Sequence, residues 1–357
     1  MPLKKELLHP SAQKAKPADE SKLGFGQIFT DHMFRWDYRD SQGWHNPRIV
    51  PYGPINLDPA ALIFHYGQEV FEGLKAYRGA DGGIYMFRPR DNVKRFNRSC
   101  QRVCIPTVPE DEALEHLFEM VRVEQEWIPR SGGTSMYIRP TVIATEACLG
   151  VKVSKEYLYY IITGPVGAYY AEGFSPTKIY VEEKFVRAAP GGLGEAKTSA
   201  NYVASLLAME EAHAKGFTQV LWLDACDRKT IEEVGTSNFF VVIKDEVITA
   251  PLGGSILPGV TRDSVIQICK DWGLKVSERR ITIDEVMAAQ KDGGLKEAFA
   301  TGTAAVISPI GSLHYRGTDF LVAGNKIGEL SQKLYDELTA IQWGTKPDKY
   351  GWVVKVA

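Results

Sequence analysis

The stretch Gly191–Tyr202, GGLGEAKTSANY, sets one lysine, Lys197, among small residues just ahead of the amphipathic pattern of a helix that begins after Ser199. Three readings of it stand side by side. Lysines are rarely buried without a reason, so taken alone Lys197 is a solvated surface side chain. As a phosphate loop, GGLGEAKT differs from G-x4-G-K-[ST] by Ala196 in place of the last glycine, and VLWLD, ending at Asp224, stands in for a magnesium-binding strand. Ala196 restricts the backbone where such a loop wraps its phosphates, which argues against that reading. As an amine for imine chemistry, Lys197 has in Gly194, Ala196, Ser199 and Ala200 neighbours small enough for a flat cofactor to lie close to the backbone. Such chemistry needs a neutral amine, obtained by desolvation or by nearby positive charge.

Two more segments acquire roles beside an imine-forming lysine. Glu233, in IEEVGTSNFF, stands where a carboxylate holds a pyridine nitrogen protonated and keeps the ring an electron sink. ILPGVTRD puts Val260 and Thr261 at a helix start, where backbone N–H groups and the helix dipole favour a phosphate. The bland alternatives are an exposed carboxylate at a strand end and a routine threonine cap.

Further out, the 357 residues carry 42 Lys+Arg against 44 Asp+Glu, a formal net charge of -2, with 44% hydrophobic and 24% charged residues. This is globular composition, long enough for about two domains. It offers no general attraction to nucleic acid or to an anionic membrane. The leading MPLKKELLHPSAQKAKPADESK lacks the apolar core of a secretory signal, and no apolar run approaches the ~20 residues that span a bilayer. The expectation is a cytoplasmic protein. Five scattered cysteines, Cys100, Cys104, Cys148, Cys226 and Cys269, argue against a disulfide framework. Dispersed histidines without H-E-x-x-H leave no metal site expected, and His65 reads as a core histidine.

Residues 1–24, rich in Lys, Pro, Ala and Ser, read as a loosely held arm. Gly73–Phe87 alternates around Gly-Ala-Asp-Gly-Gly as a β-hairpin. Asp91 is expected to cap a helix through NVKRFNRSCQRV, with Val93, Phe96 and Cys100 on its inner side. A second helix runs from Pro109 until Pro129 stops it. The strand from Thr134 to Thr145 has period two, which sends Tyr137 and Arg139 to the face opposite Met136 and Ile138. GPVGAYYAEGFSP, Gly164–Pro176, breaks the periodicity and marks a boundary. Beyond it, strands at 178–186, 219–224 and 239–243 with 247–250, and a last one at 297–301, alternate with helices after Ser199 and Thr261. The expected architecture is α/β, or mixed α+β: an arm at 1–24, a small α/β domain at 25–165, an interdomain loop at 166–176 and a large domain at 177–357.

FGQIFTDHMF, HYGQEVFEGLKAYRG, YIRP with ATEACLGV, GEAKTSANY, QVLWLD, EEVGTSNFF, ILPGVTRD and ATGTAAVISP follow one another from Phe25 to Pro309. In that order and spacing they resemble the branched-chain amino acid aminotransferases, pyridoxal-phosphate enzymes of fold type IV. The resemblance covers nearly the whole chain from Phe25. It implies two domains with pyridoxal 5'-phosphate in the cleft between them, the large domain binding the cofactor, and a homodimer whose partner loop helps close each pocket. It implies reversible ping-pong amino transfer between L-leucine, L-isoleucine or L-valine and 2-oxoglutarate, yielding branched 2-oxo acids and L-glutamate.

Carried over position by position, the resemblance makes Lys197 the Schiff-base lysine and the group that moves the Cα proton. Glu233 would pair with the pyridine nitrogen and Tyr202 with the phenolic oxygen. Arg95, the backbone at Val260 and Thr261, and Thr303 would hold the phosphate, with Arg187 lining the same pocket. Phe25, Tyr66, Phe71 and Tyr169 resemble the aromatic substrate lining. Tyr137 would bind the α-carboxylate with the Thr303-Ala304 turn, and Arg139 would receive the side chain of glutamate. Lys75 and Trp222 lie within the motifs and acquire no chemistry. Where animal enzymes carry C-x-x-C after GTA, Ala305–Ser308 has no cysteine, so thiol regulation is not expected there. D-amino acid transaminases and aminodeoxychorismate lyases share the machinery, but the long lead, EGLKAYRG and YIRP favour the branched-chain branch.

Overall fold

The computed structural model describes residues 2–167 and 173–357. These fall in two compact units: residues up to 167 with 196–199 and 340–357, and residues 173–195 with 200–339. The division thus departs from a single cut near residue 170 at two places. The tail joins the first unit because Val353–Lys355 pairs antiparallel with Ile84–Phe87, burying Trp352 and Val356. The segment 196–199 joins it through the lysine contacts described below.

The first unit is built on one sheet, in the order Lys4–Lys5, Gly43–Pro51, His32–Arg39, Glu156–Val166, Ser135–Ala144, Leu74–Arg78, Ile84–Phe87 and Val353–Lys355, with Glu69–Phe71 also paired to Ser135–Ala144. The expected hairpin is present: Ala76 faces Met86 and Arg78 faces Ile84. Period two holds along Ser135–Ala144, so Met136, Ile138 and Val142 join a core with Phe34, Trp36, Tyr159 and Ile161. Helices Pro89–Arg102 and Glu110–Val123 cover that face with Phe96, Cys100, Leu114, Leu117 and Val121. The opposite face is polar, and it carries the candidate site.

Two helix boundaries differ from expectation. The first helix starts at Pro89, where a fixed φ suits the first turn, and Arg88, with φ 49°, occupies the cap position. Asp91 is instead inside the first turn, where its carboxylate meets Arg88 Nε at 2.7 Å and favours the helix dipole. The second helix ends at Val123, six residues before Pro129, because Glu124 turns aside to bind His32.

In the second unit the pairings close on themselves: Ile231–Val234, Gln219–Leu223, Thr177–Glu182, Val306–Tyr315, Leu295–Gly302 and Ser237–Ile243, which pairs back to Ile231–Val234. Glu233 consequently has a strand on either side, opposite Trp222 on one and Asn238 on the other. The strand at 295–302 is not the last. Val306–Tyr315 and Thr318–Leu321 follow it, and then helix Glu329–Gln342. Pro309 disguised the first of these, because proline is disfavoured within a sheet.

Residues 2–24 are not loose. Lys4–Lys5 pairs in parallel with Arg48 and Ile49, Lys14 N–H donates to Asp31 Oδ1 at 2.8 Å, and the Glu20 carboxylate accepts from the Arg130 and Ser131 N–H groups. At the centre of this attachment Leu8 N–H donates to His32 Nε2 at 2.9 Å, which leaves the ring proton on Nδ1 to bind Glu124 Oε1 at 2.5 Å. Glu124 also accepts the His32 N–H at 2.9 Å. Burial pushes the Glu124 carboxyl up, only partly offset by His32. A Glu124→Ala chain therefore strands buried donors and is expected to lose on the order of 3 kcal/mol in urea unfolding. It is also expected to be cut by protease within residues 1–24 under conditions where the parent chain resists; unchanged resistance would contradict this account of the arm.

Candidate active site

The backbone of the lysine segment is held from both sides. Lys197 N–H donates to Ser99 Oγ at 2.9 Å, and its carbonyl oxygen accepts the Phe71 N–H at 3.0 Å. One residue on, Thr198 Oγ1 donates to the Glu69 carbonyl oxygen at 2.6 Å. An N–H that a phosphate loop would turn toward its anion is thus engaged with a serine, which disfavours the loop reading. The lysine's Nζ lies 4.8 Å from the centre of the Phe71 ring.

Ser99 sits one turn beyond Arg95 on helix Pro89–Arg102, so one helix face positions both the lysine backbone and the arginine expected at a phosphate. Arg95 is fixed by Glu72: Nε donates to Oε2 at 2.9 Å and Nη2 to Oε1 at 2.5 Å. Both partners are buried, at 4% and 1% exposure. Burial alone would raise the Glu72 carboxyl, but Arg95, Lys197 and the Gly73 N–H together hold it below its ordinary range. Neither Ser99 nor Glu72 figured in the sequence reading. The only local signal was an acidic residue in the otherwise apolar VFEGL.

The polar face of the sheet gathers the expected substrate residues. Tyr137 and Arg139 share it, and Arg139 Nη2 donates to the Tyr137 hydroxyl at 3.2 Å. The Arg139 guanidinium lies 4.9 Å from the Phe71 ring centre, and Phe25 meets Tyr137 edge-on at 4.9 Å. Gly73 is required here, since a Cβ on it would fall 2.1 Å from the Tyr137 hydroxyl. Lys75, directly opposite Tyr137 in the strand register, is only 6% exposed, and burial brings its ammonium down to about 8. Tyr66 is not brought into this group: it is exposed, and its hydroxyl donates to the Leu149 carbonyl oxygen. Tyr169 lies outside the described residues.

In the second unit Glu233 is buried and held at both oxygens. Oε1 accepts from Leu257 N–H at 2.8 Å and Asn238 Nδ2 at 3.2 Å, and Oε2 is 2.8 Å from Arg187 Nε. Arg187 also donates to the Ser255 and Gly194 carbonyl oxygens. Its structural place is therefore beside Glu233. Gly194 is small because the backbone at Ser255 comes close: a Cβ there would lie 2.2 Å from the Ser255 carbonyl oxygen. Leu257 leads to helix Val260–Asp271, whose first residues are Val260 and Thr261 and whose cap, Gly259, has no side chain to occupy the N-terminus. Tyr202 is on the short helix Ser199–Val203. Thr303 and Ala304 lie in the turn between Leu295–Gly302 and Val306–Tyr315. That turn ends in strain, with β-branched Val306 at φ 63°.

Three comparisons bear on this arrangement. The model of the amino-transferase class IV family matches residues 69–313, well over half of the chain. Branched-chain-amino-acid aminotransferase 2 of Bacillus subtilis is 53% identical over 347 residues, covering 97% of this chain and 95% of the relative. The solved T.th. branched-chain aminotransferase with pyridoxamine 5'-phosphate superposes with a TM-score of 0.76 at 28% identity, covering 94% and 99% of the two chains. That enzyme has also been solved with N-(5'-phosphopyridoxyl)-L-glutamate and with 4-methylvaleric acid. The branched-chain aminotransferase of Thermobaculum terrenum in its PLP form gives a TM-score of 0.75 at 25% identity, covering 93% and 100%. With the fold, the lysine segment and these likenesses in agreement, the chain belongs to the class IV aminotransferase family.

Proposed function

We propose that this protein exchanges amino groups between branched-chain L-amino acids and 2-oxoglutarate, using pyridoxal 5'-phosphate attached at Lys197. The observation that carries the reading is the setting of Lys197, a lysine whose peptide is pinned on both sides and whose amine lies over Phe71 on the face that bears Tyr137 and Arg139. The donor chemistry fits the cofactor. The first unit offers an amine and a fixed guanidinium, and the second offers a buried carboxylate and a helix N-terminus without a capping side chain.

When bound, pyridoxal phosphate supplies an electron sink for charge that develops at the substrate Cα. The remaining work falls to the chain. Arg95, oriented by Glu72, and the Val260 and Thr261 N–H groups hold the phosphate, with Thr303 beside them. Glu233, paired with Arg187 and its N–H donors, holds the ring nitrogen protonated, and Tyr202 meets the phenolic oxygen. Once the substrate's amine has taken its place on the cofactor, the freed Lys197 amine would remove the Cα proton and deliver it to the cofactor's C4′, two bonds away across the nitrogen. Tyr137, with the Thr303-Ala304 turn, receives the α-carboxylate. Phe25 and Phe71 give an apolar side chain its walls, and Arg139 gives glutamate its second contact.

A homodimer is part of this reading. Phe64, Leu149 and Val151 are exposed in the first unit, as are Val203, Leu206 and Leu207 in the second, and such apolar stretches call for a partner. A cytoplasmic location is proposed as well; among the described residues no helix is long and apolar enough to cross a membrane.

Lys197→Ala is expected to lower leucine-dependent glutamate formation by at least ~10³-fold, the scale of a lost general base. Near-normal turnover would refute the assignment. Glu233→Gln keeps the shape but not the charge. Its kcat is expected to fall on the order of 100-fold while the cofactor, followed by its visible absorbance, stays bound; full activity would remove Glu233 from the reaction.

A further inference from the structure

We infer that Glu69 sets how well this enzyme accepts an acidic side chain relative to an apolar one, its carboxylate standing beside Arg139 as an internal rival of the substrate's second carboxylate. The inference rests on the reading of Arg139 as the group that meets glutamate's side chain. Its geometry comes from the strand register. Glu69 lies opposite Ile143 and Phe71 opposite Thr141, so Glu69 and Phe71 project to the face that also bears Arg139 and Thr141. Arg139 reaches along that face until its guanidinium lies 4.9 Å from the Phe71 ring centre, one alternate residue from Glu69.

Two further contacts fix Glu69 at this place. Its backbone oxygen accepts from Thr198 and its carboxylate accepts from the Ser199 hydroxyl, while the Arg139 charge acts on that carboxylate through space. Burial pushes the Glu69 carboxyl up, and Ser199 and Arg139 only partly reverse this. Tyr160, directly opposite Thr141, has the same two charges, Glu69 and Arg139, in its surroundings. No step of amino transfer uses this carboxylate. A leucine side chain brings no charge to meet it. A glutamate side chain brings a second negative charge to a guanidinium that already has one, in a half-buried setting where like charges are poorly screened.

The test compares a dicarboxylate with a monocarboxylate of similar length. Binding of glutarate and of 4-methylpentanoate to the holoenzyme is measured by calorimetry for the parent chain and for Glu69→Gln, which removes the charge while keeping an acceptor for Ser199. Glutarate is expected to tighten on the order of 5- to 10-fold, the effect of deleting one nearby like charge, with 4-methylpentanoate unchanged. The KM for glutamate should fall in step, and that for leucine should not. Should Glu69→Gln fail to fold, Glu69→Ser carries the same expectation. Equal changes for both ligands, or no gain for glutarate, would overturn the inference. Arg139→Gln separates it from the reading beneath: undiminished glutarate binding in that variant would mean that Arg139 does not meet the second carboxylate at all.

Discussion

The peptide group of Lys197 is hydrogen-bonded on both sides, its N–H to Ser99 and its carbonyl to the Phe71 N–H. A reactive lysine is useful only if its amine returns to the same point at every turnover, and four rotatable side-chain bonds make that impossible unless the backbone beneath is fixed. Here a helix and a strand of the first unit fix it, and the segment 196–199 accordingly groups with that unit although residues of the second flank it in sequence. Leaving either buried group without its partner would cost about 1–3 kcal/mol, which makes the arrangement self-enforcing. From this point the other distances follow. Arg95 is one turn from Ser99 on the same helix, and Phe71 brings the lysine's amine and the Arg139 guanidinium over one ring.

Three charged groups assigned to the chemistry, Arg95, Glu233 and Arg139, each have an oppositely charged neighbour. Glu72 orients Arg95, Arg187 holds Glu233, and the Glu69 charge acts on Arg139 through space. Buried charges are tolerated only when paired, so these partners let each unit carry charged groups in its interior. They also hold each group in place before any substrate arrives, so that little reorganisation is left for the reaction itself. For Arg139 and Glu69 the polar face of the first sheet provides the place. Period-two alternation sends apolar side chains to the helices and leaves Lys75, Tyr137, Arg139 and Glu69 together on the other side.

Much of this was legible in the sequence, and the exceptions have physical reasons. The hairpin at 73–87 and the shared face of Tyr137 and Arg139 followed from turn chemistry and alternation, which are local. Lys197 stood out because one lysine among small residues is unusual. Glu72, Ser99 and Glu69 did not, because each owes its role to partners far along the chain: Ser99 lies nearly a hundred residues from the lysine it supports. The arm read as loose because its composition is polar, yet single donors and acceptors at Leu8, Lys14 and Glu20 find partners that no local pattern reveals. Asp91 looked like a cap until Pro89 and the left-handed Arg88 took the start of the helix. Gly194 is also needed for the close approach of the backbone at Ser255, which no local pattern reveals.

The central claim is that Lys197, and no other lysine, carries the cofactor. Borohydride reduction of the purified holoenzyme, followed by digestion and mass spectrometry, makes a reversible attachment permanent and reveals where it sits. The account predicts a phosphopyridoxyl adduct on the peptide containing Lys197 and on no other. An adduct on Lys75, the buried lysine of the same sheet face, or no adduct after incubation with pyridoxal phosphate, would contradict it.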